Sequence, residues 1–231
     1  MFQVAFHFLI SDNIVMPKKW HMLSISAALS WLMKFLLIGL LPYEIYTGDH
    51  LFALATILAI TISFIPSIVE RNYRITLPFE LDLLITLALF LHTFLGEVFM
   101  FYERFALWDK MLHLFGTSVI SLLAFMIVYT LHYTRKLRLT IPLIGFFTVT
   151  FAMFVGAMWE IAEFTVDALF AKTTQKGLND TMWDLIYDLM AGIVVAILGM
   201  MYVRYSNPKE RRRLTRPLGE VFGRRKPAKL K

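Results

Sequence analysis

The stretch "IPLIGFFTVTFAMFVGAMWEIAEFTVD", Ile141 to Asp167, decides the fold class. From Ile141 to Trp159 it carries no charge, enough residues to cross a hydrocarbon core of roughly 30 Å as a helix. It then places Glu160, Glu163 and Asp167 on one helical face. Each carboxylate is costly in hydrocarbon, so the segment is both a membrane span and a polar surface.

Working outward, the same apolar character runs through the chain. Of 231 residues 58% are hydrophobic and 17% charged, with a mean hydropathy of +0.63. A soluble domain of this length would need more polar surface. The expected class is all-α, a polytopic transmembrane bundle of about six spans: 22–42, 50–69, 79–101, 110–132, 141–167 and 182–203. Pro78 and Pro142 open the third and fifth, where a missing N–H is harmless. These spans make one membrane domain, 22–203. Residues 1–21 read as an interfacial segment before "PKKW", not as a signal peptide. There is no cysteine, which excludes disulfides and thiolate metal ligands.

Charge is unevenly spread. From Arg204 onward stand eleven Lys/Arg and two Asp/Glu, a local +9 in a chain of net +6, so the remainder is about three units negative. Pro217, Gly223 and Pro227, and no expected helical apolar stripe, predict a disordered basic tail, 204–231, against anionic headgroups. Such a tail does not need nucleic acid to explain it. Lys18 and Lys19, Arg71 and Arg74, Arg135, Lys136 and Arg138, and the tail all fall on one side. The positive-inside rule puts both termini in the cytoplasm.

That orientation sends His92 and Glu97, Asp109 and His113, Glu160, Glu163 and Asp167, and Asp180, Asp184 and Asp188 towards the outer leaflet. Residues three or four apart share a helix face. Asp109–His113–Gly116, Gly156–Glu160–Glu163–Asp167 and Asp180–Asp184–Asp188–Gly192 therefore form three stripes, acid outside and glycine deeper. Small residues let membrane helices approach, so the stripes are expected to meet in a shared pocket. Simpler readings stand beside this one. Asp109 can be an N-cap, "TMWD" a capping box at Thr181–Asp184, and Asp167 or Glu103 a solvated loop-end charge. Glu80 and Asp82 suit the helix macrodipole at the start of the third span. Glu160 and Glu163, near a helix C-terminus, and Asp188, deep in its span, lack any such account. Acids outnumber nearby cations (His113, Lys110, Lys172, Arg104), which points to a divalent cation or shared protons.

The stretches "WDKMLHLFGTSVISLLAF", "WEIAEFTVD" and "DTMWDLIYDLMAGIVVAILG" resemble the conserved blocks of VanZ-like membrane proteins, and more closely the bacterial family that includes YjdF. The resemblance covers roughly 90–200. It implies a helical bundle of the bacterial cytoplasmic membrane, multi-pass, with Asp109, His113, Glu160, Glu163, Asp184 and Asp188 as its motif residues. VanZ-like proteins are linked to glycopeptide resistance. This chain has Glu163 where their pattern has Gln, and lacks their Arg before the final Asp, which makes its cluster more acidic.

The expected function is a metal-dependent hydrolase of a lipid or lipid-linked envelope substrate. His113, Glu160, Glu163 and Asp188 are the expected ligands, Asp109 or Asp184 the base or the group orienting His113, and His92 and Glu97 outer supports. Zinc, iron or manganese fits, as do calcium and magnesium with fewer imidazoles. Two other readings remain open: a non-enzymatic binder of an envelope lipid or glycopeptide-type molecule, and an ion or proton carrier. No Gly-rich phosphate loop, nucleotide fingerprint or His-Glu-x-x-His motif is present.

Overall fold

The computed structural model describes residues 25–223. Six helices are long and apolar enough to cross a membrane. They are α1 (Ile25–Thr47), α2 (His50–Tyr73), α3 (Leu81–Phe90, continued by a π-helical segment, Leu91–Val98), α5 (Trp108–Tyr133), α6 (Ile141–Phe170) and α7 (Leu178–Tyr205). A short helix α4 (Phe101–Arg104) precedes α5, and α8 (Pro208–Gly223) follows α7. No strand occurs among the described residues. The N-terminal interfacial segment lies outside them.

Each helix has a local cause. Pro142 sits in the first turn of α6 and Pro78 opens a 3-10 turn before α3, where neither breaks a helical bond. The chain leaves α2 and α6 through Arg74 and Ala171, both in the left-handed region that ends a helix. Asp49 caps α2 by accepting the N–H of Phe52. Exposed large apolar side chains crowd the outward faces of α1, α2, α6 and α7, as lipid contact requires.

The spans pack as two groups. α5, α6 and α7 lie against one another, as do α1, α2 and α3, and α3 touches α5 across the divide. Glycine sets the closest approaches in the first group. A methyl added at Gly156 would overlap the Asp188 carboxylate, and one at Gly199 would lie 2.6 Å from the Phe125 ring. Gly116 has open space around it and serves no such approach, unlike the reading that grouped it with the glycine stripes.

The second group is pinned by a polar node that the sequence reading left as a helix-end effect. Lys34, with no exposed side-chain surface, bonds Asp82 at 2.7 Å and Ser67 at 2.8 Å. Asp82 also accepts from Ser67 at 2.6 Å and from Ser30 at 2.5 Å. One carboxylate thus takes a bond from each of α1 and α2 while belonging to α3. Trp31 and Phe64 flank the ammonium, with ring centroids 5.6 and 5.2 Å away.

The expectation of a disordered basic tail is corrected over 208–223. Leu214, Leu218, Val221 and Phe222 recur at helical spacing between the arginines, and α8 lays this stripe on α5. Leu214 and Leu218 join Ile75, Leu77, Leu81, Phe125, Met126, Tyr129, Ile144, Tyr202 and Val203 in one buried core. Lys136 of the α5–α6 loop also bonds the carbonyl of Phe222. The stripe is hidden in the sequence because Pro217 and the surrounding arginines mask it.

Gly156→Ala lowers the thermal unfolding temperature in detergent, by overpacking worth about 1–3 kcal/mol, whereas Gly116→Ala leaves it unchanged or raises it. Lys34→Met costs about 3–5 kcal/mol by stranding Asp82, and the Lys34→Met/Asp82→Leu double variant recovers most of that loss in the same assay.

Candidate metal centre

The first turns of α5 and α7 and the last turns of α6 meet at one end of the bundle. The helices begin earlier than capping logic placed them. Leu107 and Gly177 are the N-caps of α5 and α7, with no side-chain cap bond. Asp109 is therefore a first-turn residue of α5, and Asp184 lies two turns into α7. The capping readings of these two acids are set aside by that register. Asp188 is ten residues past Leu178, about 15 Å along the axis at 1.5 Å per residue.

The deepest member is Asp188, fully buried. It accepts from Thr117 at 2.5 Å and faces Nδ1 of His113 with both oxygens, at 3.2 and 3.3 Å. Gly156 leaves the room this carboxylate occupies. In the neutral ring, with Nδ1 donating to Asp188, the free electron pair of His113 is on Nε2. Nε2 faces Glu160 Oε1 at 3.6 Å and Asp109 Oδ1 at 3.9 Å, both beyond hydrogen-bond length. An oxygen of Asp109, an oxygen of Asp184 and a ring nitrogen of His113 lie within 4.8 Å of one another. Glu160 Oε1 is buried without a hydrogen-bond partner, and Asp184 Oδ1, also without one, has the Lys110 ammonium at 3.2 Å. Such orphaned acceptors are costly unless something positive completes them.

Lys110 partly supplies that charge. Its ammonium bonds Asp180, and lies 3.3 Å from Asp184 Oδ2 and 3.4 Å from Asp109 Oδ2. Lys110, Asp109 and Asp180 are each about 15% exposed, whereas Asp184 and Asp188 are closed off. The cluster thus opens to solvent at its rim and is sealed at its base. Below Asp188, α5 turns to Ser121, Ala124, Phe125 and Met126, all buried, and Ser121 bonds back to the carbonyl of Thr117.

The α6–α7 connection folds over this end. Asp167, read as a possible solvated charge, accepts from the Thr174 N–H and hydroxyl and from the Gln175 N–H. That turn brings Gln175 Nε2 to 3.5 Å from Glu160 Oε2. Lys176 reaches the Tyr102 carbonyl at 3.2 Å, linking the connection to α4.

The other expected site residues fall elsewhere. Glu163 turns aside to accept from Trp159 Nε1 at 2.9 Å, and its place on the flank follows from a three-residue step, about 60° short of a full turn at 100° per residue. His92, in the π-helical segment, contacts the Tyr102 hydroxyl at 2.5 Å and sets its ring edge-on to Trp159, not against Glu97. Burial, with the acidic surroundings, pushes the Tyr102 phenol above its ordinary range, so it holds its proton. Glu97 is exposed. Lys110 as a hub, Thr117 and Gln175 were not singled out beforehand. An Asp-Lys pair beside the His113 face was the available signal for the first.

Residues 28–205 match a family model described as "Predicted membrane protein (DUF2238)". The chain belongs to this family. A Thermotoga maritima relative, described as an uncharacterized protein, is 37% identical over 136 residues, 58% of this chain and 68% of its own. No solved structure matches the chain. The family match supports a membrane protein and does not carry the VanZ-like or YjdF name.

Lys110→Met leaves three carboxylates facing one another and lowers the unfolding temperature at neutral pH by an amount corresponding to a few kcal/mol. Adding Asp180→Asn restores part of it, a coupling that a double-mutant cycle of thermal unfolding reads directly.

Proposed function

We propose that the chain is a metal-dependent membrane hydrolase, with a divalent cation held by His113 Nε2, Asp109, Asp184 and Glu160. The observation that carries this reading is the buried, unpartnered Glu160 Oε1 beside an imidazole whose Nε2 faces acids at more than hydrogen-bond length, with Asp184 Oδ1 next to it met by the Lys110 ammonium but by no hydrogen bond. Asp188 fits as the group that fixes the His113 tautomer, with Thr117 steadying Asp188 in turn, a carboxylate–histidine arrangement common behind metal sites. Relative to the sequence expectation, Asp188 moves from ligand to support, Asp109 and Asp184 become ligands, and Glu163 drops out.

Three carboxylates and one imidazole suit manganese, iron or zinc, with magnesium or calcium weaker fits. A cation there supplies Lewis acidity and acidifies water. The chain's own groups do the rest. The rim residue Asp180 faces solvent and can take up a released proton. With a cation held by Asp184, the Lys110 ammonium would be available to an anionic leaving group. The opening lies among the span ends, where a lipid or lipid-linked envelope ester or phosphoester would arrive. Localisation to the bacterial cytoplasmic membrane, with this end outward and the basic end at anionic headgroups inside, is part of the same proposal and rests on the distribution of Lys and Arg.

A binder of an envelope lipid or glycopeptide-type molecule is the second reading. Lys110 favours it, since one ammonium already answers three of the acids. An ion or proton carrier is disfavoured by the packed Phe125, Met126 and Ile144 beyond Asp188.

The test is metal content by plasma mass spectrometry on detergent-purified protein, after incubation with manganese, iron(II) or zinc and desalting. Near-stoichiometric metal in wild type and Glu163→Gln, lost in His113→Ala and Asp184→Asn, is the expected result. Asp188→Asn weakens metal affinity about 10- to 100-fold. Metal-free wild type that remains folded turns the assignment to the binder, and stoichiometric metal without cleavage of phospholipid or lipid-pyrophosphate substrates removes the hydrolase.

A further inference from the structure

The loop between α5 and α6, residues 134–140, lies at the end of the bundle opposite the carboxylate cluster. His132, Tyr133, Arg135, Leu137 and Arg138 line an open cavity of about 330 Å³ there. Its polar lining is rich in donors. The N–H of Leu139 donates to His132 Nδ1 at 3.1 Å, which leaves the ring proton on Nε2. Guanidinium groups only donate, and a phenol can do so. No carboxylate is among the lining residues. Arg135 and Arg138 are exposed and make no ion pair or side-chain hydrogen bond among the described residues.

The loop holds these groups in fixed positions. The N–H groups of Lys136 and Leu137 both donate to the Leu131 carbonyl, at 2.9 and 3.1 Å, closing the end of α5. Arg135 takes the left-handed conformation, φ 60°, that this closure demands. Lys136 points away to the Phe222 carbonyl and its ring, tying the loop to α8. Positive charge that merely sets topology needs no convergence with an imidazole N–H and a phenol, and no fixed loop.

We propose that this loop is a headgroup site for an anionic phospholipid, with Arg135 and Arg138 on the phosphate and His132 Nε2–H and the Tyr133 hydroxyl as further donors. Arginine is the side chain best matched to phosphate oxygens. The lipid source follows from position. Tyr133 is the last residue of one span and Ile141 the first of the next, so the cavity sits where a bilayer carries its headgroups. Leu137, Ile141 and Leu143 are exposed beside it and offer an apolar surface to an acyl chain. The inference is independent of the metal centre at the other end.

The experiment is a native mass spectrometry titration of the full chain in detergent with phosphatidylglycerol, phosphatidylcholine and inorganic phosphate. Wild type is expected to take one phosphatidylglycerol saturably, with phosphatidylcholine and inorganic phosphate at least tenfold weaker. Arg138→Gln and Arg135→Gly each weaken the phosphatidylglycerol complex about tenfold, as expected for loss of a charge-assisted bond. Glycine keeps the backbone of position 135 relaxed, and unfolding temperatures measured without added lipid check that both variants fold. Arg138→Lys regains part of the affinity. Undiminished binding in Arg138→Gln overturns the site. Equal binding of phosphatidylcholine overturns its charge selectivity, and inorganic phosphate binding as tightly as the lipid overturns the headgroup assignment.

Discussion

A carboxylate that cannot reach water must be answered by something positive or by a proton, and Asp188 imposes that demand on half of this molecule. It is fully buried within α7, held by Thr117 and His113 of α5 and seated in the space that Gly156 of α6 leaves open. The three helices therefore cannot change register without breaking that set of contacts. The imidazole turned by Asp188 then presents its other nitrogen to Asp109 and Glu160, and the chain of dependence continues outward to Asp184, Lys110 and Asp180 at the rim. Packing and site are here the same contacts. A bilayer adds little hydrophobic drive between helices, so close glycine contacts and interhelical polar bonds carry more of the association than they would in water.

In the other half of the bundle the Lys34–Asp82 node follows the same rule with a complete answer, although Glu44 Oε2 of α1 is buried there without a hydrogen-bond partner. Lys34 and Asp82 satisfy each other with serines from both neighbouring helices, and the pair is rigid and finished. The carboxylate cluster is unfinished, since one ammonium is spread over three acids and the buried Glu160 Oε1 has no hydrogen-bond partner. That contrast separates a structural ion pair from a candidate working site more sharply than burial does. Both hold charge within the spans, yet only one leaves acceptors for a ligand.

Much of this was legible in the sequence because the helical period is short and strict. The i, i+4 spacing of Asp109 and His113, and of Asp184 and Asp188, fixes which side chains share a face whatever the tertiary fold. The polar pocket among the last three spans follows from those faces plus antiparallel order. Roles within it do not follow. Whether Asp188 ligates or orients depends on a rotation of α7 relative to His113 that no spacing encodes. Glu163 was grouped with Glu160, although a three-residue step left it on the flank beside Trp159. The Lys34–Asp82 pair joins residues 48 apart in sequence, and nothing local in either helix points to the other. The α8 stripe was present in the letters but masked by arginines, a surface arrangement in which apolar residues are few and one face suffices.

The position of α8 bears on how the two ends of the molecule relate. Its buried Leu214 and Leu218 join a core that includes Phe125 and Tyr129 of α5, the helix that carries His113 and Thr117 at its other end. Lys136, on the α5–α6 loop, is held by the same helix. α5 is thus fixed at both ends by unlike means: polar contacts around His113 at one, and apolar burial under a basic helix at the other. A shift of α5 along its axis would have to undo both. The arrangement argues against a rocking motion of α5 within its group, and favours a site whose geometry is preformed, with access decided at the rim by Lys110, Asp180 and the Gln175 turn.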